Sequence, residues 1–445
     1  MVKIENKDMQ WGRIENILDE ALNKSQAAEV YMAVIEETPV YLEANRVKSI
    51  RSSESTVVAL RIFKDGRIGY GAGNDPDDAV PIVSAAVETS SFGAQADFEM
   101  PSPAKYTTPD IYDESVNSAS LEELLVQSQN MAEKLIEHTP GLVCNGGAAK
   151  EVAAVYIANS SGLSESYSRT EYSIGIAGVL TRGTDMLFVG DEASDCHVIN
   201  DAGKVVHNVL DQLDRASSTS KISSGKYPVI FTPNGFASAL AAPLMAGFNG
   251  KLVLEKASPL AGKIGRKLMD DKFSLYDDTL LPCRPTSRPF DDEGIPSKRL
   301  PLIEKGIVKS FYYDLRTAAL AGTKSTGHGQ RSGGHPSPAP GAFGVPVGET
   351  SFEDLLSGMK EGLIIEHLMG ASQGNVLGGD FSGNVLLGYK VESGKITGRV
   401  KDTVVFGNTY VLLKEIAALG SDGRWVGGIF TPSILFPAIS VASKA

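Results

Sequence analysis

Polar residues and glycines recur together at two points in the C-terminal half of this sequence, where short extended stretches are separated by glycine turns. Hydroxyl, imidazole and carboxylate groups at such turns can form hydrogen bonds along a groove. Glycine allows another backbone to approach closely, so the pattern is typical of a site that receives an extended chain. The residues predicted to line this groove are Ser325, Thr326, Gly327 and His328 at the first turn, and Gly379, Asp380, Ser382 and Gly383 at the second.

Histidine and cysteine offer two candidate metal sites, and neither is favoured. His328 and His335 are seven residues apart in a glycine-rich loop with no carboxylate between them, and flexible surroundings do not pre-organise ligands. Groove-lining or solvent-facing histidines are therefore preferred to a metal pair. Cys196 and His197 are adjacent, so their side chains are expected to diverge rather than form a ligand or nucleophile pair. We expect no metal site and no catalytic residue in this chain.

The stretch 370–374 matches the GxSxG pattern of a serine hydrolase, with Ser372 as the candidate nucleophile. That elbow requires a helix directly after the serine. The following residues include Gly378, Gly379 and Gly383, which disfavour a helix. A serine hydrolase is therefore a third alternative, behind the two described below.

Composition indicates a folded, acidic protein. The 445 residues exceed the usual size of a single core, and the net charge of −12 disfavours direct binding of nucleic acid. Cys144, Cys196 and Cys283 lie far apart, which does not predict a disulfide framework. The stretch 1–8 lacks the apolar core of a signal peptide, and no apolar run approaches the roughly 18 residues of a membrane span. We expect a cytoplasmic protein with reduced thiols and no membrane contact.

Hydrophobic periodicity predicts two α+β units in the first half of the chain. The first, residues 1–97, contains a helix over 11–22, strands over 29–36, 40–50 and 55–63, an Asp-Gly hairpin turn at 65–66, and a second helix after 75–78. The second, residues 118–216, begins with a Ser120/Glu123 capping box before a long amphipathic helix. Strands over 153–158 and 171–180 and a helix over 201–213 follow.

The serine-rich stretch 217–225 is the clearest linker, and the unit 226–445 after it is β-rich. Many short strands with glycine turns predict a closed or strongly curled, mostly antiparallel sheet. Helices are expected there over 352–359 and over 409–419, the latter ended by Gly420. The predicted fold class is α+β, with an antiparallel N-terminal sheet flanked by helices and a barrel-like C-terminal domain.

The order and spacing of several motifs resemble the TldD/PmbA family, whose paired subunits form a metalloprotease once described as a modulator of DNA gyrase. These stretches are 63–69, 290–294, 302–306, 324–329, 379–384 and 405–408, and the resemblance covers most of the chain. It implies that Asp291 and Glu293, together with Asp380, line a peptide groove to which an extended substrate adds as a strand. The alternative for 290–294 is an exposed acidic turn.

The chain lacks both groups of metal ligands that the catalytic members of that family carry. Those members carry HExxxH on a helix, and the matching stretch 241–248 contains no His, acid or Cys. They also supply a cysteine near the C-terminus, whereas no cysteine follows Cys283. The resemblance therefore implies a PmbA/TldE-like subunit without zinc, paired with a zinc-bearing TldD-like partner or with itself, acting on unfolded or ribosomally made peptides. The alternative is a metal-free homodimeric peptide-binding or scaffold protein without catalysis.

Overall fold

The computed structural model describes residues 7–332 and 334–444. The predicted absence of a signal peptide concerns mainly residues 1–6, which lie outside the described residues. Within the described ranges, no helix is both long enough and apolar enough to cross a membrane.

The longer helices lie in the N-terminal half, and those after residue 230 are short. They are α1 (Lys7–Leu22), α2 (Ala79–Ser90), α3 (Glu114–Ser118), α4 (Leu121–His138), α5 (Gly203–Arg215), α6 (Pro233–Ala239), α7 (Ala241–Gly247), α8 (Gly250–Leu254), α9 (Leu315–Leu320), α10 (Phe352–Ser357) and α11 (Thr409–Leu412).

The strands of the N-terminal half are long, whereas many of those that follow are short. The first seven are β1 (Ala27–Glu43), β2 (Arg46–Ile50), β3 (Ser53–Lys64), β4 (Arg67–Gly73), β5 (Val143–Asn159), β6 (Ser164–Arg182) and β7 (Asp185–Asp195). The others are β8 (Thr219–Ser220), β9 (Gly225–Phe231), β10 (Leu275–Asp277), β11 (Leu300–Glu304), β12 (Ile307–Val308), β13 (Gly329–Ser332), β14 (His335–Pro338), β15 (Phe343–Gly344), β16 (Glu361–Met369), β17 (Asp380–Glu392), β18 (Lys395–Val400), β19 (Thr403–Asn408), β20 (Ala418–Leu419), β21 (Arg424–Val426), β22 (Ile429–Thr431) and β23 (Ile434–Ser443).

The N-terminal strands form one antiparallel sheet in the order β4-β3-β1-β5-β6-β7, and β2 pairs with β1. Alternate residues point to opposite faces of a strand. In β1, Val30, Met32 and Val34 pack under α1 and α2, whereas Tyr31 lies on the other face, towards the C-terminal region. The helices α4 and α5 cover apolar residues of β5, β6 and β7 in the same way. One face of the sheet therefore carries helices, and the other is available to the C-terminal region.

The C-terminal region contains a closed five-stranded barrel in the described part of the chain, in the order β16-β9-β23-β19-β17, which the pairing of β17 with β16 closes. A second sheet runs in the order β12-β11-β10-β15-β22-β21. The largest apolar core lies here and is rich in phenylalanine, including Phe231, Phe236 and Phe248. The α+β class and the barrel-like C-terminal domain are confirmed. The division into 1–97, 118–216 and 226–445 stays a prediction, and β1 pairs directly with β5 across the first boundary.

Two predicted elements are wrong in detail. The strand predicted over 40–50 is a hairpin, because Ala44 and Asn45 take positive φ angles of 50° and 67° and reverse the chain between β1 and β2. The helix predicted over 409–419 ends at Leu412. The end of the predicted helix is instead the short strand β20, which pairs with β23.

Candidate functional site

The predicted groove residues of the first turn and of the acidic motif lie together, and all except the partly exposed Ser325 are buried. Gly329 N–H donates to Asp291 Oδ2 at 2.7 Å, and His328 Nδ1 lies 2.9 Å from the carbonyl oxygen of Thr326. Asp291 and Glu293 are 0% exposed, so an exposed acidic turn, one of the two alternatives, is wrong. Ser325, Thr326, Gly327 and His328 are brought beside Asp291 and Glu293 through this network, and their role as groove residues stays a prediction.

Glu293 belongs to a buried group of charges that joins the two halves of the molecule. Arg61 of β3 bonds Glu29 of β1 at 2.9 Å and Glu293 at 2.5 Å, and Arg331 of β13 also bonds Glu29. These four residues are called the interior cluster. Burial, followed by the nearby charge of Glu293, raises the pKa of Asp291 to about 8. No charge of Glu29, Arg61 or Glu293 reaches solvent, so this arrangement suits a structural junction.

The second predicted turn lies elsewhere, where β17 begins. Asn408 Nδ2 donates to Asp380 Oδ1 at 2.8 Å and to the Gly378 carbonyl at 2.8 Å. Asp380 and Ser382 are exposed, whereas Gly383 is buried and Gly379 has a φ of +92°. The structure does not bring this turn to the interior cluster. No helix follows Ser372, because the chain continues through turns into β17, so the elbow that the GxSxG pattern requires is not formed there.

A large open cleft runs between the two halves. Two adjoining cavities of about 790 and 740 Å³ share Gly175, Asp191 and Glu192. One side is formed by β6 and β7 together with α5, and the opposite wall comes from α6, β16, β17, β21 and β22. Cavities of this size are typical of ligand sites. Among the described residues that line them, none belongs to the predicted groove set.

Polar groups converge at the junction of the two cavities. Arg424 of β21 donates to Asp191 Oδ1 at 2.7 Å and to Asn234 Oδ1 at 2.9 Å. Asp191, Arg424 and Asn234 are called the cleft triad. Asn208 Nδ2 donates to the other oxygen of Asp191 at 2.6 Å. The carboxylate is therefore fixed on both sides, while the Arg424 side chain remains 25% exposed.

Glu366 and His367 also line the first cavity. Thr232 Oγ1 donates to Glu366 Oε2 at 2.9 Å, and burial raises the pKa of Glu366. The neighbouring His367 is exposed to the cavity, whose walls withhold water and lower the pKa of the imidazole. The imidazole of His367 and the carboxyl group of Glu366 can both form hydrogen bonds. The cavity therefore offers hydrogen-bonding groups that suit a polar ligand.

The edge of the N-terminal sheet is also available at the cleft. Within the described residues, β7 pairs only with β6, so its outer edge has no neighbouring strand. The side chain of Gln212 caps that edge at Gly190, donating to its carbonyl at 3.0 Å and accepting from its N–H at 2.8 Å. Beyond this cap, Glu192, Ala193 and Ser194 line the second cavity. An extended chain could pair with such an edge.

A cluster of possible metal ligands lies beside the second cavity. In the described part of the chain, Asp110, Cys196, His197 and Cys283 place ligand atoms within 4.8 Å of one another. The structure joins Cys196 and Cys283 in a disulfide, so the expectation of reduced thiols is wrong for this pair. The expected divergence of Cys196 and His197 is also wrong. The chain bends after β7, where the His197 N–H donates to Asp195 Oδ1 at 3.0 Å, and strand alternation no longer applies.

The fold and the cleft define an α+β protein with a large cavity between a helix-covered sheet and a β-barrel. Residues 224–443 match the model of the PmbA/TldA metallopeptidase C-terminal domain, and residues 28–91 match that of the PmbA/TldA metallopeptidase domain 1. The chain belongs to the PmbA/TldD family, a metalloprotease-like group.

Relatives differ in how much of this chain they match. Metalloprotease PmbA of Escherichia coli O157:H7 is 26% identical over 454 residues, covering 97% of this chain and 95% of that protein. The metalloprotease TldD homolog of Haemophilus influenzae is 28% identical over 208 residues, covering 46% of this chain and 43% of that protein. The crystal structure of TldE from Thermococcus kodakarensis is similar with a TM-score of 0.88 at 22% identity, covering 97% and 100% of the two chains.

The family resemblance places the zinc ligands of a metallopeptidase on a helix whose residues in this chain cannot bind zinc. That helix, α7, has the sequence AAPLMAG, which offers no imidazole, carboxylate or thiol. Ala241 and Leu244 are buried in the C-terminal core, and the Tyr410 hydroxyl donates to the Pro243 carbonyl at 2.8 Å. The helix is held by packing, and no hydrolytic step can be derived from a metal on it.

Proposed function

We propose that this chain is the subunit of a PmbA/TldD-type metallopeptidase that lacks the peptidase zinc and helps to hold an extended peptide for a zinc-bearing partner. The observation that carries the proposal is α7, which keeps the helical position but has apolar residues in place of ligands. The similarity of the whole chain to a protein named metalloprotease PmbA supports the same assignment. The TldD homolog, by contrast, aligns over less than half of the chain.

The cleft is where we place the peptide. An extended chain would pair with the free edge of β7 and lie across the cleft triad. Main-chain pairing recognises backbone more than side chains, which suits unfolded or ribosomally made peptides. The net charge of −12 and the expected cytoplasmic location agree with a peptide ligand rather than nucleic acid or membrane.

A metal-free homodimer that binds peptides without cleaving them is the second candidate. It is favoured by one observation, that a single chain forms both walls of the cleft. Peptide binding would then need no catalytic partner, and the chain would act as a scaffold.

Reconstitution distinguishes the two candidates. The chain is mixed with the HExxxH-bearing TldD-type subunit of its own host, and cleavage of an unstructured peptide is followed with each subunit alone and with both. We expect cleavage that requires both chains and zinc. Peptide binding by the isolated chain, with no gain in cleavage on adding the partner, would favour the scaffold. A mass near 47.2 kDa by light scattering, with or without the partner, would contradict both forms of pairing.

A further inference from the structure

Residues from three distant segments meet at the end of β7. His197 Nδ1 lies 3.4 Å from Cys196 Sγ and 3.3 Å from Cys283 Sγ. Asp110 comes from the connector before α3, and its carbonyl accepts the Cys283 N–H at 2.7 Å. Two cysteine sulfurs, an imidazole and a carboxylate thus converge from positions up to 173 residues apart, Asp110 to Cys283.

The two sulfur–nitrogen distances match those of a tetrahedral metal site. With zinc–sulfur bonds near 2.3 Å and zinc–nitrogen bonds near 2.05 Å, sulfur and nitrogen ligands lie about 3.5 Å apart. We propose that the reduced chain binds one zinc ion through Cys196, Cys283 and His197, with the carboxylate of Asp110 as the fourth ligand. Thiolate and imidazole ligands select zinc over magnesium or calcium. This site would be separate from the peptidase zinc, and it departs from the expectation that the chain carries no metal.

The disulfide and the metal are alternative states of the same two sulfurs. Reduction by two molecules of a low-molecular-weight thiol such as glutathione gives two cysteine thiols and one glutathione disulfide. Zinc then binds two thiolates and a neutral imidazole, and the thiol protons are released to water. A cytoplasmic location would favour the thiol state, because thiols there are kept reduced.

The surroundings of the site accommodate this change. His197 Nδ1 lies 3.0 Å from Asp195 Oδ1 in the disulfide state and would exchange that contact for the metal. Asp195 would retain its bonds to the His197 N–H at 3.0 Å and to Arg284 at 3.3 Å. Cys283 has a φ of +52°, a conformation that suits glycine better, so the fold holds this sulfur in place against a backbone preference.

A zinc ion here would fasten the C-terminal region to the edge of the peptide cleft. Arg284 and Ser194, the neighbours of Cys283 and Asp195, line the second cavity. The ion would thus have a structural role and would position one end of the cleft, with all four coordination positions filled by protein ligands.

Zinc content of the isolated full-length chain tests the proposal. The protein is reduced with a phosphine, loaded with zinc, dialysed against a weak chelator and analysed for metal. We expect roughly one zinc per chain in the wild type and at least about a tenfold loss of affinity in His197→Asn. His197 is half exposed, so this variant should fold, and His207→Asn, at a 72% exposed helical site, is the matched control. Cys144→Ala, which removes the cysteine outside the cluster, should retain the metal.

Cobalt gives a readout that does not depend on any variant. Cobalt(II) bound to the reduced wild type should show sulfur-to-metal charge-transfer absorption, and oxidation to the disulfide should abolish it. Failure of the reduced wild type to retain zinc, or equal retention by wild type and His197→Asn, would overturn the proposal. Zinc retained equally by the oxidised chain would also overturn it.

Discussion

Two groups of charged residues connect the same two halves of this molecule, and they differ in access to water. The interior cluster places Glu29, Arg61 and Glu293 at 0% exposure with direct ion pairs between them. The cleft triad places Arg424, at 25% exposure, beside a cavity of about 740 Å³. Both groups contain a carboxylate from the N-terminal sheet and an arginine, so residue type does not distinguish them.

The difference in exposure between the two groups decides whether their charges can interact with a ligand. Ions without access to solvent depend on one another for charge compensation, so the interior cluster fixes the geometry of the junction. In the cleft triad, water and a ligand can share the remaining hydrogen-bonding capacity of Arg424. We therefore expect substitutions in the first group to change stability and substitutions around the second to change binding.

The largest effect is expected from Arg61→Met. Removing the guanidinium leaves Glu29 and Glu293 buried without their shared cation, which should lower the free energy of unfolding by about 3–5 kcal/mol. Denaturant titration measures this loss. The control is Lys267→Met, which breaks an exposed pair with Asp271 and should cost less than about 0.5 kcal/mol. Similar losses in both variants would remove the distinction between enclosed and open charges.

A smaller effect should appear in the pH dependence of stability. Burial, then Glu293, raises the pKa of Asp314 to about 6. In the unfolded chain this carboxyl has a pKa of about 3.9. Above pH 6 the folded protein must hold the carboxylate in its ionised form, which lowers the free energy of unfolding. Protonation removes this cost as the pH falls towards 4. The free energy of unfolding of the wild type relative to Asp314→Asn should rise by about 2 kcal/mol on going from pH 7 to 4. A difference that stays constant with pH would contradict the burial argument.

Bulk in the cleft should affect binding and leave stability alone. Ala177 lies on β6, is exposed and lines the first cavity. Ala177→Trp should weaken peptide binding or reconstituted cleavage about tenfold, or about 1.4 kcal/mol, by occupying space. Ser164→Trp, at an exposed position of the same strand outside the cleft, is the control. Full activity in Ala177→Trp would show that the peptide lies elsewhere.

The smallest effect concerns the turn before β17. Gly379 has a φ of +92°, and a Cβ there would lie 2.4 Å from the Tyr410 ring. Gly379→Ala should lower stability by about 1 kcal/mol through backbone strain, with Gly374→Ala, whose nearest neighbour is 3.8 Å away, as the control. Lost cleavage at unchanged melting temperature would instead support the predicted groove at this turn.

Local signals predicted local structure well. The capping box at Ser120 and Glu123 is present at the start of α4, and the Asp65-Gly66 turn joins β3 to β4. The periodic helix predicted over 11–22 is α1, which starts four residues earlier. Long-range pairing was harder to predict, because strand addition to β23 outweighed the helical pattern after Leu412.

The cleft residues carry no local spacing signal. Asp191, Arg424 and Glu366 are on three strands far apart in sequence, and only the packing of the two halves brings them to one cleft. The cysteine cluster had one detectable signal, an adjacent cysteine and histidine. Its third member, Cys283, is 87 residues away, and no pattern of spacing links it to Cys196.

The pairing of β1 with β5 has a consequence for synthesis of the chain. β1 ends at Glu43, and its partner β5 begins at Val143. Synthesis of the residues between them takes roughly 5–20 s, and for that time one edge of β1 has no partner strand. During that time β3 and β4 can pair with β1, but its other edge remains open to any exposed strand nearby. The nascent N-terminal segment is therefore a natural client for a ribosome-associated chaperone, and translational slowing between residues 43 and 143 should increase its aggregation.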